Sequence, residues 1–172
     1  PCSMMVIAAM NPCPCGYFGD DTHQCTCSPQ KIHRYLNRVS GPLLDRFDIH
    51  VELPRVKFEE LRSDISAESS EDIKKRVNDA REMQRERFRG SDTMSNATIN
   101  AAQLQKFCVI DKEAENVLKI AFEKLGLTAR AYDRVLKVSR TIADLDQSEV
   151  IKSNHVLEAV RYHSLDRKYW RR

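Results

Sequence analysis

Glycine is scarce in this chain, and the shortage excludes a chemistry. The five glycines, Gly16, Gly19, Gly41, Gly90 and Gly126, cannot be arranged into a G-x-x-x-x-G-K-[S/T] phosphate loop, the backbone cradle that a self-contained P-loop nucleotidase needs. No apolar run ends in Asp-Glu either, so the carboxylate that would hold magnesium beside such a loop is missing. No apolar stretch approaches the roughly 20 residues of a membrane-spanning helix, and no signal peptide opens the chain. The expectation is a cytoplasmic protein with no membrane partner. An excess of one charge is also lacking: 28 Lys plus Arg against 25 Asp plus Glu leave +3, too little by itself to argue for nucleic acid. Internal repeats and low-complexity tracts are absent.

What is present is organised around Met4 to Asp48. With 172 residues and 41% hydrophobic content the chain can hold one ordinary core or two small ones. Met4-Met5-Val6-Ile7-Ala8-Ala9-Met10 has the length and composition of a strand buried on both faces. Asn11-Pro12 stops it, because proline neither donates to a ladder nor lets its predecessor enter a helix. Asn11 therefore falls at a strand's carboxyl end, where open α/β sheets gather ligands; a simple strand-ending turn is the alternative.

Two C-x-C pairs follow, Cys13/Cys15 and Cys25/Cys27, with nine residues between them. Brought together by a turn containing Gly16 and Gly19, they can supply four thiolates to a structural zinc ion, although C-x-x-C is the commoner spacing. Disulfides are the rival, and nothing in the sequence indicates an oxidising compartment. His23 is a possible substitute ligand. A short helix is expected over Gln30 to Arg38. Gly41 to Asp48 then leads into Ile49-His50-Val51-Glu52-Leu53, whose alternation predicts a second strand closed by Pro54. Arg46 sits on the connector ahead of it, either in an ion pair with Asp45 or Asp48 or presented to a phosphate, which suits its planar fork of donors.

From Glu71 the pattern turns helical. Ser69 is a cap for a helix with Glu71 and Asp72 in its first turn and Arg85, Arg87 and Arg89 toward its end, and Ile73, Val77, Ala80 and Met83 form a narrow apolar stripe. Asn100 with Gln103 is a capping-box signature. Asp111 caps a helix that ends at Gly126, and Thr128 caps one whose inward positions read as Ala131, Val135, Val138, Ile142 and Leu145. Arg130 lies in that helix's first turn, where a cation is unfavourable unless an anion joins it; an exposed arginine tolerating slight repulsion is the alternative. Ser153 starts the last helix, and Asp166 to Arg172 is a basic, aromatic tail.

AAMNPCPCGYFGD, the CTC pair, IHRYLNRVSGPLLDRFDIHVELP and GLTARAYDRVLKVSRTIADL occur in this order over nearly the whole chain. Together they resemble the carboxyl-terminal half of the magnesium-chelatase-like AAA+ ATPases of the bacterial competence-protein ComM type. The resemblance implies that Asn11 is the sensor 1 asparagine, Arg46 the arginine finger and Arg130 the sensor 2 arginine, with Asn11 and Arg130 serving the nucleotide. It further implies a homo-oligomeric, hexameric ring that hydrolyses ATP with magnesium and acts on DNA, in the manner proposed for branch migration in natural transformation.

The expected fold class is mainly α with a small α/β part: the end of an AAA+ P-loop core over residues 1–62, with its cysteine-rich loop at 12–28, followed by a helical lid over 63–172. Pro1-Cys2-Ser3 running straight into a strand is expected of a fragment, one that carries sensor 1, finger and sensor 2 and is inactive alone. Two other functions compete. A true magnesium chelatase subunit is a cousin fold, against which the paired cysteines argue. A zinc-dependent nucleic-acid-binding module would need basic residues gathered beside the cysteine loop, and along the sequence they are spread out.

Overall fold

The computed structural model describes residues 4–44, 46–54, 56, 58 and 68–163. It is mainly helical. Among the described residues the helices are α1 (Pro29–Leu36), α2 (Gly41–Leu44), α3 (Ser70–Arg87), α4 (Ala101–Phe107), α5 (Lys112–Leu125), α6 (Ala129–Leu145) and α7 (Ser153–Tyr162), with a 3-10 turn at Asn96–Thr98.

The helix ends follow from local chemistry. A helix leaves its first amides without carbonyl partners, and short polar side chains supply them. Ser28 accepts from the Lys31 amide with Pro29 at the first helical position, and Ser69 accepts from Asp72. Asn100 and Gln103 exchange side-chain bonds with each other's amides at 3.1 and 3.0 Å. Asp111 Oδ1 accepts from Ala114 at 2.7 Å, and Thr128 Oγ1 from Ala131 at 3.2 Å. Gly126 ends α5 at φ 51, ψ 48, the left-handed conformation that a residue without Cβ adopts most easily. The last helix differs: the Lys152 amide donates to His155 Nδ1 at 3.0 Å. That bond fixes the neutral tautomer, leaving His155 Nε2–H to donate to Asp146.

One hydrophobic cluster runs from Phe88 to Ala159. α6 is its axis, packed against α3, α7 and the 3-10 turn. Phe88 meets Phe107 edge-on at 5.3 Å, and Leu118, Val135, Ile151 and Val156 are at most 2% exposed. Cys108 lies in this core, where burial pushes its thiol up to about 11. Only the carboxyl-terminal half of α3 is sealed, through Ala80 and Gln84, while Ile73 and Val77 stay exposed.

Two expectations need correction. The buried face of α6 is Ala131, Val135, Leu136, Ser139, Arg140, Ala143 and Asp144; Val138 and Ile142 are half-buried and pack against the core as expected, and of the expected set only Leu145 is exposed. The helix is turned so that Arg140 and Asp144 face inward, where polar partners compensate their burial. The two strands are also not formed: residues 4–10 and 49–54 belong to no strand among the described residues, with Met5, Ile7 and Leu53 about 85% exposed. A strand needs a ladder partner for its amides and carbonyls. The β pairing recorded among the described residues is the single parallel bridge Ile110–Ile151.

The boundary expected at 62/63 and the tail from Asp166 lie outside the described residues, as does most of the segment from Ser63 to Ser70. No helix of the described residues is long and apolar enough to cross a membrane.

Candidate functional site

The sulfur cluster is built by tight turns. Gly16, at φ +84, closes a turn onto the Cys13 carbonyl at 3.0 Å, and Gly19, also at +84, precedes an Asp20 amide bonded to Tyr17 O. Asp20 Oδ1 then accepts from the Thr22 and His23 amides at 2.7 and 2.9 Å, turning the chain back toward Cys25. The result gathers Cys13, Cys15, Cys25 and Cys27 with all four Sγ atoms within 4.8 Å of one another. Cys13–Cys15, Cys15–Cys25 and Cys13–Cys25 stand 3.3, 3.5 and 3.7 Å apart. Those separations are too long for disulfides, whose S–S length is about 2 Å, and all four cysteines are free. A tetrahedron of thiolates around zinc at ~2.3 Å has edges of roughly 3.8 Å, so the donor set fits that ion.

The electrostatics agree. The Tyr17 amide, opposed by desolvation and aided by the Cys13 thiol, holds Cys15 down to about 5. At Cys25 the Cys27 amide favours ionisation, yet desolvation and the neighbouring Cys15 and Cys13 sulfurs outweigh it and push the thiol up to about 12. Cys27 is raised too, first by desolvation. A cation among the sulfurs would favour the ionised form of Cys25 and Cys27 that their surroundings otherwise oppose. His23 is outside the cluster; its ring stacks on Tyr17 at 5.1 Å.

The three residues suggested for nucleotide chemistry are all exposed. Asn11 is exposed beside the cysteine loop, its Cγ 4.0 Å from where a Cβ on Gly16 would stand. Arg46 is exposed just after α2, its Nη1 donating to the Pro42 carbonyl at 2.5 Å. Arg130 is exposed in the first turn of α6, a turn without an acidic residue. No hydrogen bond or ion pair among the described residues joins any two of them. Of the carboxylates considered for Arg46, Asp45 is outside the described residues, and Asp48 pairs instead with Arg134 Nε at 3.4 Å. That contact, with the His50 amide donating to Tyr162 O at 2.8 Å, fastens the segment after Arg46 to α6 and α7.

The densest polar constellation was not anticipated. Asp144, fully buried on α6, accepts from Arg87 Nη1 at 2.8 Å, Asn96 Nδ2 at 2.7 Å and Arg140 Nε at 3.0 Å. Arg140, itself fully buried, also donates to the Glu149 carbonyl at 2.6 Å and to that of Ser148. Burial pulls the Arg140 guanidinium below its ordinary range. The available signal was the i,i+4 spacing of Arg140 and Asp144 within an otherwise apolar helix. Sealed from solvent, this is structural wiring and not a ligand site.

A cysteine-clustered segment followed by a capped helical domain, with exposed arginines on both, defines the class, and the sequence comparisons agree with it. The family described as magnesium chelatase, subunit ChlI, matches residues 1–61, and its ChlI C-terminal counterpart matches residues 67–163. The chain belongs to the magnesium chelatase ChlI-related family. It is 41% identical over 168 residues, 97% of its length, to the uncharacterized protein YifB of Escherichia coli and equally to the competence protein ComM of Haemophilus influenzae. A relative in Mycobacterium tuberculosis is 33% identical over 145 residues, 84% of the chain. The chain spans 32% of the length of YifB and ComM.

Proposed function

We propose that this chain is the carboxyl-terminal part of the ATPase unit of a hexameric ring that acts on DNA, with a lid formed by α3–α7. Family membership frames the reading, the competence name of one relative points to DNA uptake, and Arg130 carries it. An exposed guanidinium at the positive end of a helix is a misplaced charge until an anion arrives, and a nucleotide phosphate is such an anion. Arg130 then senses the phosphate and sets the lid. Arg46, on a short connector, reaches the nucleotide of the neighbouring subunit and stabilises charge developing on the transferred phosphoryl group. Asn11 orients the attacking water or the terminal phosphate through its amide. Magnesium, when bound with ATP, neutralises phosphate charge. The four cysteines hold a structural zinc that keeps the loop after Asn11 in shape.

The test uses a protein of the relatives' full length. Arg46→Ala should leave ATP affinity nearly intact and depress turnover by roughly 10³ or more, the scale of arginine fingers acting in trans. Activity should return when these subunits are mixed with subunits that lack the phosphate-loop lysine but keep Arg46. No recovery in demonstrably mixed rings would return Arg46 to a structural role. A magnesium chelatase acting on porphyrins is the second reading, favoured by the family's description. ATPase activity stimulated by porphyrin and indifferent to DNA would establish it instead.

A further inference from the structure

We propose that the exposed basic face of α1, set directly behind the four-cysteine cluster, is a contact surface for the sugar–phosphate backbone of a nucleic acid strand. Between Asp21 and Asp45 the chain carries no Asp or Glu, although it has 25 acidic residues in all. Within that acid-free stretch, Lys31 and Arg34 share one face of α1, and Arg38 follows from the turn that closes the helix; all three are exposed. The opposite face is apolar, with Leu36 buried and Ile32, Tyr35 and Val39 half-buried. Three of the chain's 28 basic residues thus stand in one row.

The acid-free stretch they share distinguishes them. Six other arginines are matched, Arg76 with Glu68, Arg85 with Glu82, Arg89 with Glu86, Arg87 and Arg140 with Asp144, Arg134 with Asp48, while Arg46, Arg81 and Arg130 lack an ion pair among the described residues but lie outside that stretch. Lys31, Arg34 and Arg38 have no ion pair among the described residues. Three aligned cations without a carboxylate are poorly suited to burial against another protein face and well suited to a polyanion. The span also fits. Seven residues of helix cover ~10 Å, and one DNA strand presents a phosphate about every 3.4 Å of axis. The cluster supplies the rigidity, because Cys27 is bonded to Ser28 and Ser28 Oγ caps α1 on the Lys31 amide at 3.3 Å. The cysteine loop thus sets where the basic row points.

This inference deepens the DNA part of the proposed function and rests on it for the choice of partner. The experiment compares two variants with the same change in net charge: Lys31→Gln/Arg34→Gln/Arg38→Gln on the isolated row, and Arg76→Gln/Arg85→Gln/Arg89→Gln on matched arginines. Binding of the 172-residue chain to fluorescein-labelled oligothymidylate and to a labelled duplex is read by anisotropy across a salt series. The slope of log affinity against log salt should fall by about 2 to 3 in the first variant, since each phosphate contact contributes ~0.7–0.9, and by far less in the second. Circular dichroism and zinc content check that both variants fold; should the triple variant not fold, each single Gln variant should lower the slope by ~0.7–0.9. Absence of low-salt binding by the unaltered chain, or equal losses in the two variants, would overturn the proposal. So would normal DNA binding with lost self-association on sedimentation, which assigns the row to an acidic protein surface. An unchanged slope leaves the ATPase reading intact, and DNA-independent ATPase in the longer protein leaves the α1 measurement valid.

Discussion

Replacing Asp144 by Ala should be among the most damaging single changes available in the helical domain. Its carboxylate is fully buried and accepts from three side chains, so it neutralises Arg140 and Arg87 together. Removing it leaves Arg140, also fully buried, charged with only the Ser148 and Glu149 carbonyls to compensate. Losing one member of a buried charged set costs ~3–5 kcal/mol, a large share of the ~5–15 kcal/mol that holds a typical domain folded. At ~4–8 °C per kcal/mol for a unit of this size, the melting temperature should fall by on the order of 15–30 °C. Urea unfolding followed by far-UV circular dichroism measures the effect, with Arg140→Met, Asp144→Leu and their combination closing a double-mutant cycle. The combination should cost clearly less than the sum of its parts, because the fully buried Arg140 charge is then gone and only Arg87, which is partly exposed, has lost its carboxylate. A loss below about 1 kcal/mol for Asp144→Ala, or strict additivity in the cycle, would refute the account of the network.

The cysteine cluster should bind one zinc per chain, measurable by metal analysis of protein prepared without chelator. Replacing all four cysteines by serine should abolish it, and stoichiometric disulfides, or metal content unchanged in the variant, would count against the site. The chain alone should show no saturable ATP binding at micromolar ligand by calorimetry, because most phosphate affinity comes from loop amides, a lysine and magnesium. Gly126→Ala should destabilise by ~1 kcal/mol through left-handed strain alone, since a Cβ there meets nothing within 4 Å; Gly126→Asn, better tolerated at that φ, should cost less on the same urea curve.

The helix ends were legible because their determinants are local. Ser69, the Asn100–Gln103 pair, Asp111, Thr128 and Gly126 each act within a few residues of themselves, and each is found at the terminus where the sequence puts it. The cysteine cluster was legible for a similar reason, since two C-x-C pairs separated by glycine turns have few ways to close. What depends on distant partners was not legible. Whether Met4 to Met10 becomes a strand depends on a neighbour to pair with, and no such neighbour stands beside it among the described residues. The inward placing of Arg140 and Asp144 on α6 depends on Arg87 and Asn96, contacts 57 and 48 residues from Asp144; an apolar stripe read from α6 alone points to Leu145, which is exposed, instead. Asn11, Arg46 and Arg130 were named through family resemblance; each is exposed, and no hydrogen bond or ion pair among the described residues joins any two of them.

The connection between α6 and α7 limits how the domain can vary in length. Asp146, Gln147 and Ser148 donate their amides back to the end of α6, and Arg140 holds the carbonyls of Ser148 and Glu149. Val150 O accepts from the Ser148 hydroxyl, Ile151 pairs with the strand-like Val109–Asp111, and Lys152 binds His155. Every residue of this turn has a committed backbone group, so a single inserted residue would break several bonds to buried partners at once. Insertions and deletions should accumulate instead in the largely exposed stretch around Gly90 to Met94, where Gly90, Asp92 and Met94 make no hydrogen bond among the described residues, leaving the α6–α7 turn as a fixed-length ruler between the two helices.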